Sequence, residues 1–288
     1  KVRLANDWTY ALSGGRRGSR NPTDKRVILP DGSAWPDFSG LRVRVIDAGP
    51  WAVNCDLQMV ASSHMQSLFK RWPKTFHVNT AEQIVDVVDG KFVFCSDVSE
   101  YDQSMSGDAI KTVFSTMRNF YPEGVCRSAE RLYEAPYYAK PLSLDGKRGV
   151  WVANPLDWTF KMQSGNRSGH AFTSLVAKVN KVIETLFLFD HMYPVSERNL
   201  EAYLRGDMPL GIVNNGDDEI VWTVTKTDLQ KFKSLRERKE LGHYSVNAEA
   251  GQGFSGLLLV RPNPSECRYV PTPKLHTPIE KCYIPERG

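Results

Sequence analysis

Four carboxylates carry the chemistry that this sequence can do. Asp217 and Asp218 are adjacent in the stretch Val213-Asn214-Asn215-Gly216-Asp217-Asp218-Glu219-Ile220-Val221. Side-by-side carboxylates repel, and such pairs persist where a cation, most often a divalent metal, sits between or beside them. Asp97 follows the apolar run of residues 91–96, and Asp102 comes five positions later. Each acid also has a plainer reading. Asp217 and Asp218 can form a solvated acidic turn, Asp97 can cap a strand end, and Asp102 can be a helix N-terminal acid favoured by the helix dipole.

Several elements must position these groups. Asn215-Gly216 between two apolar runs is a short hairpin signal, because the turn needs positive φ. Residues 91–96 read as a short apolar strand that delivers Asp97 at its end. Helices are expected over residues 51–72, over 81–88 with Thr80 as N-cap, and over 109–120. Gln163-Ser164-Gly165-Asn166-Arg167-Ser168-Gly169-His170-Ala171-Phe172-Thr173 is rich in glycine and hydroxyls and runs into a long helix from 174 to about 191. That helix shows an apolar face of Leu175, Val179, Val182, Ile183, Leu186 and Phe189. A loop of this kind either forms a simple capped turn or cradles a phosphate or sugar with its exposed N–H groups.

Upstream, residues 41–46 alternate strictly, placing Arg42 and Arg44 on one strand face. The pair is a solvated face or a forked anion clamp suited to a triphosphate. Residues 13–20 read as a flexible basic loop, either solvated or touching phosphates. Downstream, residues 227–241 form a charged helix with Lys231, Lys233, Arg236, Arg238 and Lys239. Strands at 244–248 and 257–260 flank a glycine-rich turn, and the Pro-rich tail 261–288 has no evident core of its own.

Composition sets the outer bounds. The 288 residues suffice for one large domain or two small ones, and the 41% hydrophobic and 24% charged content is that of an ordinary soluble globular chain. A net charge of +4 suits an anionic partner without requiring one. The five cysteines form no CxxC pair and no Cys/His cluster, so they read as reduced thiols in an intracellular setting. No run approaches a membrane span, and the first residue, Lys1, points to a piece of something longer.

The order of these features resembles a known family. A strand-end Asp97 with Asp102 behind it, a Ser-Gly…Thr loop opening a helix, and then a Gly-Asp-Asp hairpin look like motifs A, B and C of viral RNA-dependent RNA polymerases. Arg42-Val43-Arg44 resembles their motif F. The closer likeness is to the polymerases of double-stranded-RNA bacteriophages, the cystoviruses. It rests on Asp97-Val98-Ser99-Glu100-Tyr101-Asp102, Asn154-Pro155, Asp190-His191, and Asp217-Asp218 with Trp222-Thr223 behind them. Three departures stand out. Cystoviral motif C often has Ser where this chain has Gly216; the motif-B-like loop holds two Ser-Gly pairs, Ser164-Gly165 and Ser168-Gly169, of which only the second has Thr four residues after the Gly, at Thr173; and the motif B Asn of many positive-strand virus enzymes is Ala177 here.

The resemblance implies an α+β fold: a right-hand palm of antiparallel sheet with helices, partial fingers, and a largely absent thumb. Residues 1–90 would be partial fingers with the basic strand. Residues 91–260 would be the palm with a fingers-derived insertion at about 122–160, and 261–288 a Pro-rich connection toward a thumb. Asp97 and Asp217 would hold two Mg²⁺ ions, with Asp218 assisting. Asp102 would accept a hydrogen bond from the ribose 2′-hydroxyl, with Ser168, Gly169 and Thr173 beside it. Arg42 and Arg44 would grip the triphosphate, and Lys233 or Lys239 would be the general acid. Asp218, Glu249 and the Gly253 carbonyl match a non-catalytic Mn²⁺ site of the phage enzymes.

The implied activity is template-directed RNA synthesis from NTPs, replicating and transcribing a double-stranded RNA genome. Expected partners are RNA template, nascent RNA and viral capsid proteins. The expected state is a monomer in the virion interior (the viral core) and the host cytoplasm. The rival readings are another palm polymerase such as a reverse transcriptase, which Asp102 speaks against, and a non-catalytic RNA-binding or capsid-associated module with a polymerase-like fold.

Overall fold

A computed structural model describes the backbone of residues 10–16, 23–28, 34–37, 43–48, 51–78, 80–98, 101–134, 137–139, 142–145, 150–153, 158–160, 165–167, 169–238, 246–247, 253–254, 257–263 and 265–273. Side chains are described from Asn54 onward, except those of Asp97, Gln103, Gly253, Pro273 and the strands at 137–160 and 246–247. The chain divides into two compact units. One comprises residues 1–54, 131–162 and 167–170; the other comprises 55–130, 163–166 and 171–288.

The second unit is built on a four-stranded antiparallel sheet. Its order is Leu210–Asn215, Asp218–Thr223, Phe92–Val98, Val246–Asn247. Both faces of this sheet are covered, so its strands read as continuous apolar runs rather than alternating ones. On one face Phe94, Leu210 and Val221 pack with Leu188 and Phe189 of helix Thr173–Asp190 and with Leu229, Phe232 and Leu235 of helix Lys226–Arg236. On the other, Cys95, Val213, Ile220 and Trp222 pack with Ile84, Val87 and Val88 of helix Ala81–Val88. Phe254, Leu259 and Tyr269 complete that layer.

Local chemistry starts and stops the elements as expected in several places. Thr80 and Gln83 form a capping box that opens helix Ala81–Val88. Strand Phe92–Val98 and helix Gly107–Met117 lie within a few residues of the sequence expectation. Two helices of eight residues or more are not foreseen by the sequence pattern, Glu123–Tyr133 and Glu197–Arg205, nor are the short helices Pro73–Phe76 and Tyr101–Ser104. Helix Glu197–Arg205 had a signal: Asn199 Oδ1 accepts from Ser196 N at 2.7 Å, and Gly206 closes the helix at φ 75°.

The long helix departs from its expected apolar face. Ile183 is 45% exposed, whereas Lys178, Asn180, Lys181 and Thr185 are buried. The helix is covered on more than one side: Lys178, Lys181 and Thr185 reach the sheet's polar end at Asn215 and Glu219, whereas Asn180 turns to Tyr101. The Pro-rich tail also contributes to the core, since Tyr269 is buried there and strand Val270–Pro273 pairs with Leu257–Val260.

In the first unit, strand Tyr10–Arg16 pairs antiparallel with Val43–Ala48 and parallel with Tyr137–Ala139, which pairs with Trp158–Phe160. Residues 13–16 are therefore ladder backbone rather than the flexible loop their composition suggested, because distant strands supply their partners. Thr23–Ile28 with Ala34–Asp37, and Leu142–Asp145 with Val150–Ala153, form two further antiparallel pairs.

Candidate active site

The sheet's polar end is a single row across four strands. The register sets Asn215 opposite Asp218, Asp218 opposite Asp97, and Asp97 opposite Asn247. The preceding row on the same face is apolar, Val213, Ile220 and Cys95. Three of the four strands thus change from apolar to polar in step, and Asn215 and Asp218 are only partly buried there.

Gly216 and Asp217 are the two loop residues of the hairpin, since Asn215 and Asp218 pair directly. Gly216 has φ 81°, at the position where a II′-type turn takes glycine. The turn therefore sits one residue beyond the Asn215-Gly216 placement that the sequence suggested. Asn214 braces it from below: its Nδ2 donates to Gly216 O and its Oδ1 accepts from Gly216 N, both at 3.2 Å. Asp217 is exposed at the tip. Beneath it, Lys178 Nζ donates to Asn215 Oδ1 at 2.9 Å and lies 3.4 Å from Asn214 O. Burial pulls this lysine down to about 8, against the opposing pull of the Asp217 charge.

Asp102 lies in the short helix Tyr101–Ser104, and Asn166 holds it. Asn166 N donates to Asp102 O at 2.5 Å, and Asn166 Nδ2 donates to Asp102 Oδ1 and to Thr173 O, both at 3.0 Å. One buried asparagine therefore joins the motif-A-like acid to the first residue of helix Thr173–Asp190. Deeper along that helix, Asn180 Nδ2 donates to Tyr101 Oη at 3.2 Å and to Glu184 Oε1 at 2.5 Å. Asn180 is thus engaged in the interior.

Behind the row, Glu219 is fully buried among Ser96, Thr185, Lys181 and Arg236. Burial pushes its carboxyl up, but the Lys181 and Arg236 charges and the two hydroxyl donors outweigh that and hold it below the ordinary range.

Asp102, Thr173, Asp217, Asp218 and Asp97 all lie in the second unit, where the register pairs Asp218 with Asp97 and Asn166 joins Asp102 to Thr173. Gly169 and Arg44 belong to the first unit, where Arg44 pairs with Gly15 and Gly169 O accepts from Asn54 Nδ2 at 2.6 Å. Gly253 lies in strand Gly253–Phe254, opposite Leu258. Arg42, Ser168, Lys239 and Glu249 lie outside the described residues. Lys233 stands with its Nζ 5.3 Å from the Phe94 ring centroid, on the helix-covered face of the sheet.

Sequence reasoning overlooked Lys178, Asn166 and Glu219. Asn166 and Glu219 lie inside the Ser-Gly loop and the Gly-Asp-Asp hairpin, and only tertiary contacts distinguish them.

The donor chemistry suits a hard divalent cation, because Asp97, Asp217 and Asp218 offer oxygen alone. Among the described side chains no three His, Cys, Asp or Glu residues cluster; Asp97, the third acid of the expected set, is described by its backbone only.

An antiparallel sheet backed by helices, with paired acids on a tight hairpin beside a strand-end acid, is the palm architecture of nucleotide polymerases. The model for viral RNA-dependent RNA polymerase matches residues 64–269. The chain belongs to that family. It is similar to the RNA-dependent RNA polymerase of bacteriophage phi12, with 30% identity and a TM-score of 0.82 over 98% of this chain. It spans 48% of that polymerase's length. Apo telomerase from Candida tropicalis shares the fold at 13% identity, with a TM-score of 0.52 over 91% of this chain and 50% of that one.

Proposed function

We propose that this chain carries the nucleotidyl-transfer centre of a viral RNA-directed RNA polymerase. The row Asn215–Asp218–Asp97 beside a Gly216-Asp217 turn, inside the family-matched segment, carries this reading. The reaction joins a nascent 3′-hydroxyl to the α-phosphate of an incoming NTP and releases pyrophosphate. Two Mg²⁺ ions held by Asp97 and Asp217, with Asp218 assisting, would stabilise the attacking and leaving oxygens.

The chain's own residues supply the rest. Asp102 accepts a hydrogen bond from the ribose 2′-hydroxyl, and Asn166 fixes the orientation of that carboxylate. Thr173 lies next to the same pair through its backbone. Arg42 and Arg44 grip the triphosphate, and Asp218 with Glu249 and Gly253 takes a Mn²⁺ ion away from the chemistry. In biological terms the enzyme replicates and transcribes a double-stranded RNA genome as a monomer inside a viral core, in contact with capsid proteins. The phi12 likeness supports the bacteriophage setting.

The test is incorporation of labelled NTP on a single-stranded RNA template with Mg²⁺, comparing the purified chain with Asp217→Ala and Asp97→Ala. Template-dependent product abolished by both substitutions is expected. Product that survives both would remove these acids from the reaction.

A further inference from the structure

Glu219 adjoins the candidate metal ligands, yet the proposed reaction leaves it unused. It follows Asp218 directly and points to the opposite strand face, where it is fully buried. Its carboxylate gathers partners from three other elements. Oε2 accepts a hydrogen bond from Ser96 Oγ at 2.9 Å, and Oε1 accepts one from Thr185 Oγ1. Lys181 Nζ lies 3.6 Å and Arg236 Nη2 3.4 Å from Oε2. Ser96 directly precedes Asp97, and the Ser96–Glu219 pair is the rung next to Asp97–Asp218. Thr185 and Lys181 belong to helix Thr173–Asp190, and Arg236 ends helix Lys226–Arg236.

A buried ion cluster is a poor source of stability, because desolvation offsets most of its Coulombic gain and apolar packing would serve as well. What directional hydroxyls and opposed charges add is a fixed geometry. Ligand positions tolerate only about 0.5 Å of error in a metal site. A tie one rung from both acids acts on that tolerance directly.

We infer that Glu219 is a positioning residue for the metal-binding carboxylates. Anchored by Ser96, Thr185, Lys181 and Arg236, it fixes the Asp218 strand against the Asp97 strand and thereby sets the affinity for the divalent cation. The inference rests on the polymerase reading above.

Mn²⁺ binding to the purified chain, titrated by electron paramagnetic resonance, tests it, with Asp217→Ala defining the ions held at the hairpin. Glu219→Gln alone strands two buried cations and loses fold stability as well as position. Glu219→Gln with Lys181→Met removes one charge of each sign and leaves Arg236 without its carboxylate. This double variant is expected to melt above Glu219→Gln alone while binding hairpin Mn²⁺ at least about tenfold more weakly than wild type, the range typical for losing a group that supports metal ligands. Its Mg²⁺ requirement for NTP incorporation should rise by the same factor, with the KM for NTP unchanged. Ser96→Ala, which removes one hydrogen bond and no charge, should weaken Mn²⁺ by about threefold. Wild-type Mn²⁺ affinity in either variant overturns the inference and leaves the polymerase reading standing. Absence of Asp217-dependent Mn²⁺ binding in the wild type removes both.

Discussion

Replacing Gly211 by alanine tests how tightly the hairpin is built. Gly211 lies opposite Trp222 in the register. A Cβ added there would stand 2.3 Å from Trp222 Cζ2, 2.6 Å from Cε2 and 3.0 Å from Nε1, all well inside van der Waals contact. The indole has little room to retreat. It is 2% exposed, Lys91 Nζ lies 3.6 Å from its centroid, and a Cβ on Gly206 would meet the same ring at 3.2 Å. Trp222 therefore occupies a slot between two glycines. Overpacking of a filled core costs about 1–3 kcal/mol. The usual advantage of alanine over glycine in a strand, about 0.5–1 kcal/mol, offsets part of that. Gly211→Ala should thus destabilise by about 1–2 kcal/mol, read as a lower urea midpoint at unchanged slope. In a double-mutant cycle with Trp222→Phe, which removes the clashing atoms, the alanine should lose most of its cost, giving a coupling of about 1 kcal/mol. A cost for Gly211→Ala below about 0.5 kcal/mol, or strict additivity with Trp222→Phe, would refute the slot.

Gly216→Ala meets nothing within 4 Å but keeps φ 81°, so it should cost about 1 kcal/mol through backbone strain alone and show no coupling to Trp222. Lys178 has a folded-state value of about 8 against an ordinary 10.5, so the unfolded chain holds the proton more tightly between those limits. Stability should therefore rise with pH from about 8 to about 10.5, by up to about 3 kcal/mol, and Lys178 should contribute no slope below 8. Denaturation midpoints of Lys178→Met should lack this rise, and parallel profiles for the two proteins would contradict the assignment. Asn166→Ala should reduce discrimination between NTP and dNTP in the incorporation assay by about tenfold while leaving Mn²⁺ binding intact, because it releases Asp102 without touching the hairpin.

The parts legible in the sequence were those set by local chemistry. Thr80 and Gln83 cap their helix through contacts three residues apart. Gly216 turns the hairpin by its own φ, and the apolar runs at 92–95 and 220–222 announce a sheet buried on both faces. What stayed hidden depends on partners far along the chain. Tyr269 reaches the core although its segment is Pro-rich and short, because its hydroxyl donates to Lys91 O at 3.0 Å while its ring fills the layer beneath the sheet. Residues 13–16 looked like part of a basic loop because their ladder partners, residues 43–46, lie some thirty positions along the chain.

The helix Thr173–Asp190 shows why polar residues mislead most. A single apolar stripe was the natural reading, yet Lys178, Lys181 and Thr185 are buried and Ile183 and Phe187 are exposed. The stripe rule assumes that one face meets an apolar core and the rest meets water. Here the sheet presents an apolar row and then a polar one to the same helix, Ile212, Val221 and Phe94 giving way to Asn214, Glu219 and Ser96. A helix crossing that boundary must change character along its length, so its lysines and threonine follow the sheet's polarity rather than the solvent's. On the other face the same step turns Val213, Ile220 and Cys95 into Asn215, Asp218 and Asp97. One transition in register therefore makes the candidate site on one side and the ionic support on the other, and neither can be moved without shifting the pairing of both.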